Sequence, residues 1–296
     1  MSRRDFISST HSTSYDFISP TKHDLSGRKV VITGSAWEDG VGYATATAFA
    51  RAGASTIVLL DLHGISTGPI SKLESAALQA GRPKPTILPF AVDISNLEAV
   101  QNVLPQLGTA LEGGLDVLVN NAAHQEPYDN ILHSDPTTDW RTWEVNIHGL
   151  MNMSRVFLPA LLESKTSHGG LSTMINVASS GALSARAGSS NYRSSKLAIL
   201  RWTEILQLDH QDRGLLAFCV NPGAIKTRMT INEPENLRAK LPHKPDIAGD
   251  TIAWLAAERR EWLAGRYVSC PWDMEELLSR KDEIVEGDKL KMKMVF

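Results

Sequence analysis

The feature that most constrains the fold of this chain is a repeated alternation of short apolar runs with stretches of helical spacing. KVVIT (29–33), TIVLLD (56–61), PTILPFAVD (85–93), LDVLVNNA (115–122), STMINVAS (172–179), LLAFCVNPG (215–223) and RYVSC (266–270) read as strands. Helical stretches lie between them near 42–53, 69–81, 96–112, 139–164, 192–212 and 247–258. Strands that are apolar at nearly every position suit a parallel sheet covered on both faces, and parallel neighbours need crossover helices. The expected architecture is therefore α/β, a doubly wound parallel sheet in three layers, α/β/α, built as a single domain. Ligands of such sheets sit beyond the carboxyl ends of the strands.

Composition matters here for what it excludes. Thirty basic against thirty-three acidic residues in 296, a net charge of −3, give no electrostatic reason to expect nucleic acid or an anionic membrane as partner. No apolar run reaches the roughly 18 residues needed to span a bilayer. Two cysteines, Cys219 and Cys270, both in expected buried strands, imply no disulfide framework and point to a reducing, cytoplasmic setting. Residues 1–26 carry Arg3 and Arg4 without the apolar segment of a secretory signal. This arm, which repeats DFIS at Asp5–Ser8 and Asp16–Ser19, is expected to be flexible or draped, although Phe6-Ile7 and Phe17-Ile18 could dock in a groove. Residues 27–296 form the expected domain, with a substrate loop at about 228–249 and a C-terminal tail.

The chemistry-bearing residues fall at the strand ends. After the first strand comes TGSAWEDGVG (33–42), where Gly34, Gly40 and Gly42 allow a tight turn and close approach of backbone to a pyrophosphate at a helix N-terminus. Asp61 ends the second strand, where a carboxylate can accept hydrogen bonds from ribose hydroxyls and would repel a 2′-phosphate. Its plain alternative is a solvated strand-end carboxylate. Glu38 and Asp39 add negative charge, and neither segment contains Arg or Lys, so NAD(H) is favoured over NADP(H).

Tyr192 and Lys196 are four residues apart at the start of an expected helix, which puts both side chains on one face. A tyrosine hydroxyl ordinarily titrates near 10, about three units above neutrality, and an adjacent ammonium should lower that value. Ser179, thirteen residues upstream at a strand end, could donate a hydrogen bond to a substrate oxygen. Together these groups can move a proton on or off a carbonyl or alcohol oxygen.

With these motifs in one order, the chain resembles the short-chain dehydrogenase/reductase family over residues 27–275, and in particular fungal members that tailor natural products. The resemblance implies a Rossmann-type fold, an NAD(P)(H) cofactor and a catalytic tetrad of Asn146, Ser179, Tyr192 and Lys196. The cofactor contacts it implies are Gly34, Gly40, Val41, Gly42, Asp61, Asp93, Ile94, Asn121, Ala122, Tyr192, Lys196, Pro222, Gly223, Ile225 and Thr227. It implies no metal site, and a homodimer or homotetramer assembled through the helices near 139–164 and 192–212.

Three departures from the family pattern stand out. Five residues, SAWED, replace the usual three in the glycine turn, so Trp37 lies either over the adenosine or on the surface. The segment NNAA has Ala123 where the family has glycine, and Ser180 follows Ser179 as a rival for the serine role. His124, Gln125, Tyr128, Leu183, Arg186, Met229 and Trp272 are the expected pocket lining. The expected reaction interconverts a secondary alcohol and a ketone on a small or mid-sized, partly apolar substrate. The alternative is a non-redox isomerisation, dehydration or cyclisation that uses Tyr192 as acid or base.

Overall fold

In the computed structural model, residues 6–294 are described. Seven parallel strands, β1 (Lys29–Thr33), β2 (Thr56–Asp61), β3 (Thr86–Ala91), β4 (Val117–Asn120), β5 (Thr173–Val177), β6 (Leu216–Asn221) and β7 (Tyr267–Ser269), form one sheet ordered β3-β2-β1-β4-β5-β6-β7. The first crossovers carry α1 (Val41–Arg51) and α2 (Thr67–Gln79), then α3 (Leu97–Gln101) and α4 (Leu104–Leu107). They are followed by α5 (Pro136–Trp143), α6 (Leu150–His168) and α7 (Ser190–His210). The remaining helices are α8 (Glu235–Arg238), α9 (Pro245–Ala257), α10 (Met274–Ser279) and α11 (Lys281–Glu286). The result is the Rossmann-like, single-domain layering expected of the alternating pattern.

Both faces of the sheet are covered, as the continuous apolar runs require. Along β2, Ile57 and Leu59 pack with Phe49 of α1 and Trp254 of α9, while Val58 and Leu60 pack with Val100 of α3 and Phe157 of α6. Strand β3 is the exception, with exposed and half-buried positions and none fully buried, and it lies at the sheet edge. Pro89 is tolerated there because β3 pairs on one side only.

Two expected helices have different forms. The stretch 96–112 breaks into α3, α4 and a 3₁₀ turn at Gly108–Leu111. Pro105, which has no N–H to give to the preceding turn, lies in the first turn of the second piece. The stretch 139–164 starts three residues earlier, at Pro136, and passes through a π-helical turn, Glu144–Gly149, between α5 and α6.

The arm is seated on the domain. Ile7, Ile18 and Leu25 are fully buried in the core, and Phe6 and Phe17 pack against it. Ser8 and Ser9 hydrogen-bond Glu276, His11 pairs with Asp273, and Thr13 donates to Asp246. Both DFIS copies thus contribute core side chains. Among the described residues, no helix is long and apolar enough to cross a membrane.

Candidate active site

Strands β1 and β4 are neighbours, and the chain winds outward from them in opposite directions. At this switch in strand order a cleft of about 610 Å³ opens across the carboxyl ends. Gly34, with φ +70°, turns the chain out of β1. A methyl group on Gly34 would come within 2.7 Å of the Ala122 Cα, and one on Gly42 within 2.2 Å of the Gly34 carbonyl oxygen. Only hydrogen fits at either place. The Asn121 amide Nδ2 donates to the carbonyls of Thr33 and Gly34, both at 2.9 Å, and so pins the turn to β4. The first N–H groups of α1 have no side-chain acceptor, and Gly40 and Val41 line the cleft. The turn, the helix start and the size of the cleft fit the diphosphate of a dinucleotide.

Asp61 also lines the cleft and is held by two amides, accepting from Ala36 N at 2.9 Å and His63 N at 3.1 Å. The lengthened turn carries Trp37 to the cleft wall, where the Arg228 guanidinium lies 3.6 Å over its ring. Glu38 pairs with Lys72 at 2.6 Å. The negative charge expected near the ribose is therefore partly offset by basic residues from other elements, which inspection of the turn alone could not show.

At the foot of the cleft, Tyr192 and Lys196 are buried one turn apart on α7. The Lys196 Nζ donates to the Val177 carbonyl at 2.8 Å and lies 5.7 Å from the Tyr192 ring centre. Burial lowers the Lys196 pKa to about 8. Burial likewise pushes Tyr192 up to about 12, against a hydrogen bond from Ser179 that acts to lower it. This corrects the expectation that the ammonium draws the tyrosine down: with both groups buried, desolvation outweighs their spacing. Ser179 accepts from Gly181 N at 3.0 Å. Ser180 is exposed, and its N–H is held by the Asn221 side chain at 2.9 Å, so only Ser179 meets the tyrosine.

Asn146 sits in the π turn. Its Nδ2 donates to the His124 carbonyl at 2.9 Å and to Ser195 Oγ at 3.0 Å, and its Oδ1 accepts from the His124 N–H at 2.8 Å. It thus lies behind the cleft wall and ties that wall to α7.

Asp93 and Ile94 line the cleft, but the Asp93 carboxylate is engaged by Arg141 at 2.7 Å and by Ser95. Ala122, Pro222 and Thr227 also line it. Gly223 and Ile225 stand back from it: Gly223 makes a turn at φ +107°, and Ile225 is buried where it bridges to His243. Of the expected pocket residues, His124, Gln125 and Met229 line the cleft. Tyr128 instead accepts from Arg193 at 2.7 Å, and Trp272 is buried against Phe6 and Tyr267. Arg141, Arg228 and Glu126 belong to the site or its walls and were not singled out in the sequence; nothing in local periodicity marks them.

The sequence profile of the short chain dehydrogenases matches residues 28–238. The chain is 41% identical over 290 residues to the short chain dehydrogenase mpl6 of Monascus purpureus, covering 98% of this chain and 96% of that one. Among solved structures it is similar to a 3-ketoacyl-(acyl-carrier-protein) reductase of Brucella melitensis complexed with NADH (TM-score 0.69, 24% identity, 83% of this chain and 97% of that one). A second is a short chain dehydrogenase of Escherichia coli complexed with NADPH (TM-score 0.68, 24% identity, 83% and 97% covered). This chain belongs to the short chain dehydrogenase family, an oxidoreductase family.

Proposed function

We propose that this chain interconverts a secondary alcohol and a ketone on a small or mid-sized, partly apolar substrate, using NAD(H) in preference to NADP(H). The observation that carries the reading is the buried Tyr192–Lys196 pair at the foot of a dinucleotide-sized cleft, with Ser179 on the tyrosine. The cofactor, when bound, supplies or takes the hydride. Tyr192 holds its proton at neutral pH and gives it to the substrate oxygen in the reductive direction. Ser179 orients that oxygen and stabilises its developing charge. Lys196, anchored on Val177, presents a cation to the ribose hydroxyls and to the phenolate that forms. Val145, Met229 and Ile231 give part of the cleft an apolar lining that suits a partly apolar ketone.

The resemblance to fungal tailoring members supports a place for the proposed reaction in secondary metabolism, and the two free, buried cysteines agree with a cytoplasmic enzyme. Met151, Leu158, Leu162, Trp202 and Leu206 border an apolar groove of about 510 Å³ between α6 and α7. We assign this face to a second copy of the chain, in a homodimer or homotetramer.

The cofactor reading rests on Asp61, a strand-end carboxylate that two amides hold at the cleft wall and that would repel a 2′-phosphate bound beside it. Calorimetric titration of the free protein should show NADH binding at least about tenfold tighter than NADPH, a modest cost for two like charges in proximity. Tighter NADPH binding would reverse the assignment and point to Arg228 or Lys72 as the phosphate ligand.

A further inference from the structure

We propose that Glu126 is a positioning residue of this site, whose carboxylate fixes the first turn of α7, and with it Tyr192, against the bend that carries Asn146. The inference rests on the reading that Tyr192 moves the proton. Glu126 is 2% exposed. Both its oxygens lie 3.0 Å from the backbone N of Tyr192, and Oε2 also accepts from the Thr142 hydroxyl at 3.0 Å. Among the described residues no ion pair to it is found. The carboxylate is met instead by the Tyr192 N–H in the first turn, at the positive dipole end of a 21-residue helix.

The usual local cap is missing at that helix. Ser189, which precedes α7, has φ +51° and makes no side-chain capping bond. A carboxylate 66 residues upstream in sequence takes its place. Burying a charge is costly unless hydrogen bonds and opposite charge compensate, and a serine in the right conformation would cap the helix without that cost.

What Glu126 adds is a connection. Thr142, which it accepts from, also contacts His124 Nδ1 at 3.1 Å and lies four residues before Asn146. The backbone of His124 in turn holds both ends of the Asn146 amide. Residues 124–126 thereby join the Tyr192 turn of α7 to the Asn146 bend. Lys196 has a separate anchor on the Val177 carbonyl of β5. Loss of the Glu126 contact should therefore displace Tyr192 while leaving the lysine, and the cofactor it holds, in place.

The test compares Glu126→Ala, Glu126→Gln and Tyr192→Phe with wild type in the full chain, using NADH and a series of vicinal diketones as probes. Glu126→Ala should lower kcat by about 10²-fold, the cost of misplacing a reacting group by about an ångström. Its NADH dissociation constant should stay within about threefold of wild type, since the Lys196 anchor is untouched. Glu126→Gln keeps a carbonyl acceptor and should restore most of the kcat. Hydrogen exchange should quicken in Glu126→Ala at 190–194 and around Asn146, and this measurement decides the placement even with a poor probe. Unchanged exchange overturns the proposal, and so does unchanged kcat. It is also overturned by a joint fall of kcat, NADH affinity and melting temperature that Glu126→Gln does not restore, since that pattern describes a fold defect. An inactive Tyr192→Phe beside a fully active Glu126→Ala sinks the Glu126 assignment alone. A fully active Tyr192→Phe sinks the catalytic reading beneath it.

Discussion

Tyr192→Phe is expected to lower kcat by at least about 10²-fold while leaving cofactor affinity and melting temperature close to wild type. The substitution removes one hydroxyl from a buried ring that stays packed, so the fold loses only the hydrogen bond from Ser179. That hydroxyl keeps its proton at neutral pH because burial places its pKa at about 12, and the protonated form is the one that can donate to a carbonyl oxygen. Steady-state kinetics at saturating cofactor and probe ketone, with a thermal melt as control, measure the effect. A variant that kept more than about a tenth of wild-type kcat would show that another step limits turnover or that another group carries the proton. A solvent isotope effect on wild type separates those two cases.

Lys196→Met is expected to damage turnover about as severely and, unlike the tyrosine variant, to weaken cofactor binding by about tenfold or more, because in the proposed reaction one cation would serve both the ribose and the phenolate. Its pH signature is specific. Burial brings Lys196 down to about 8, so its charge is lost as pH rises through that value. Wild-type kcat/KM, which reports the free enzyme, should fall over this range, and the variant should lack the fall. Stability should move the other way. The folded-state pKa lies below the ordinary lysine value of 10.5, so between about 8 and 10.5 the unfolded chain binds more protons, and this group's contribution to stability rises with pH. Below about 8 both states carry the charge, and the full cost of burying it remains. Methionine removes that cost, so the inactive variant should melt no lower than wild type near neutrality.

How far the site could be read from sequence depended on whether an interaction is local. The strands were legible because each is apolar along its length, and β3 was legible despite Pro89, an edge residue with nothing to donate to. The glycine turn was legible because Gly34 and Gly42 sit where no side chain fits. The tyrosine and lysine were legible from one helical turn of spacing, but their electrostatics were not. Spacing shows that the two share a face; it does not show that both are buried, and burial decides the direction in which each titrates.

The remaining features arise from pairings between distant segments. Lys72 neutralises Glu38 from α2, Arg228 reaches Trp37 from the loop after β6, and Glu126 caps a helix 66 residues away. None of these pairs has a periodic signal. The apolar pairs of the arm were visible in the sequence, but that Ile7 and Ile18 are fully buried follows only from where the tail segment near Trp272 and helix α9 lie.

In the proposed reaction hydride passes between cofactor and substrate at this site while Tyr192 transfers the proton. The most direct test is a labelled reduction: purified chain, NADH carrying deuterium at the transferring nicotinamide position, and a probe ketone that wild type consumes. One cofactor should be oxidised for each alcohol formed, with the deuterium on the new carbinol carbon. Product that accumulates while the nicotinamide absorbance stays constant and the label stays on the cofactor would contradict it, and would assign Tyr192 to a non-redox acid–base reaction instead.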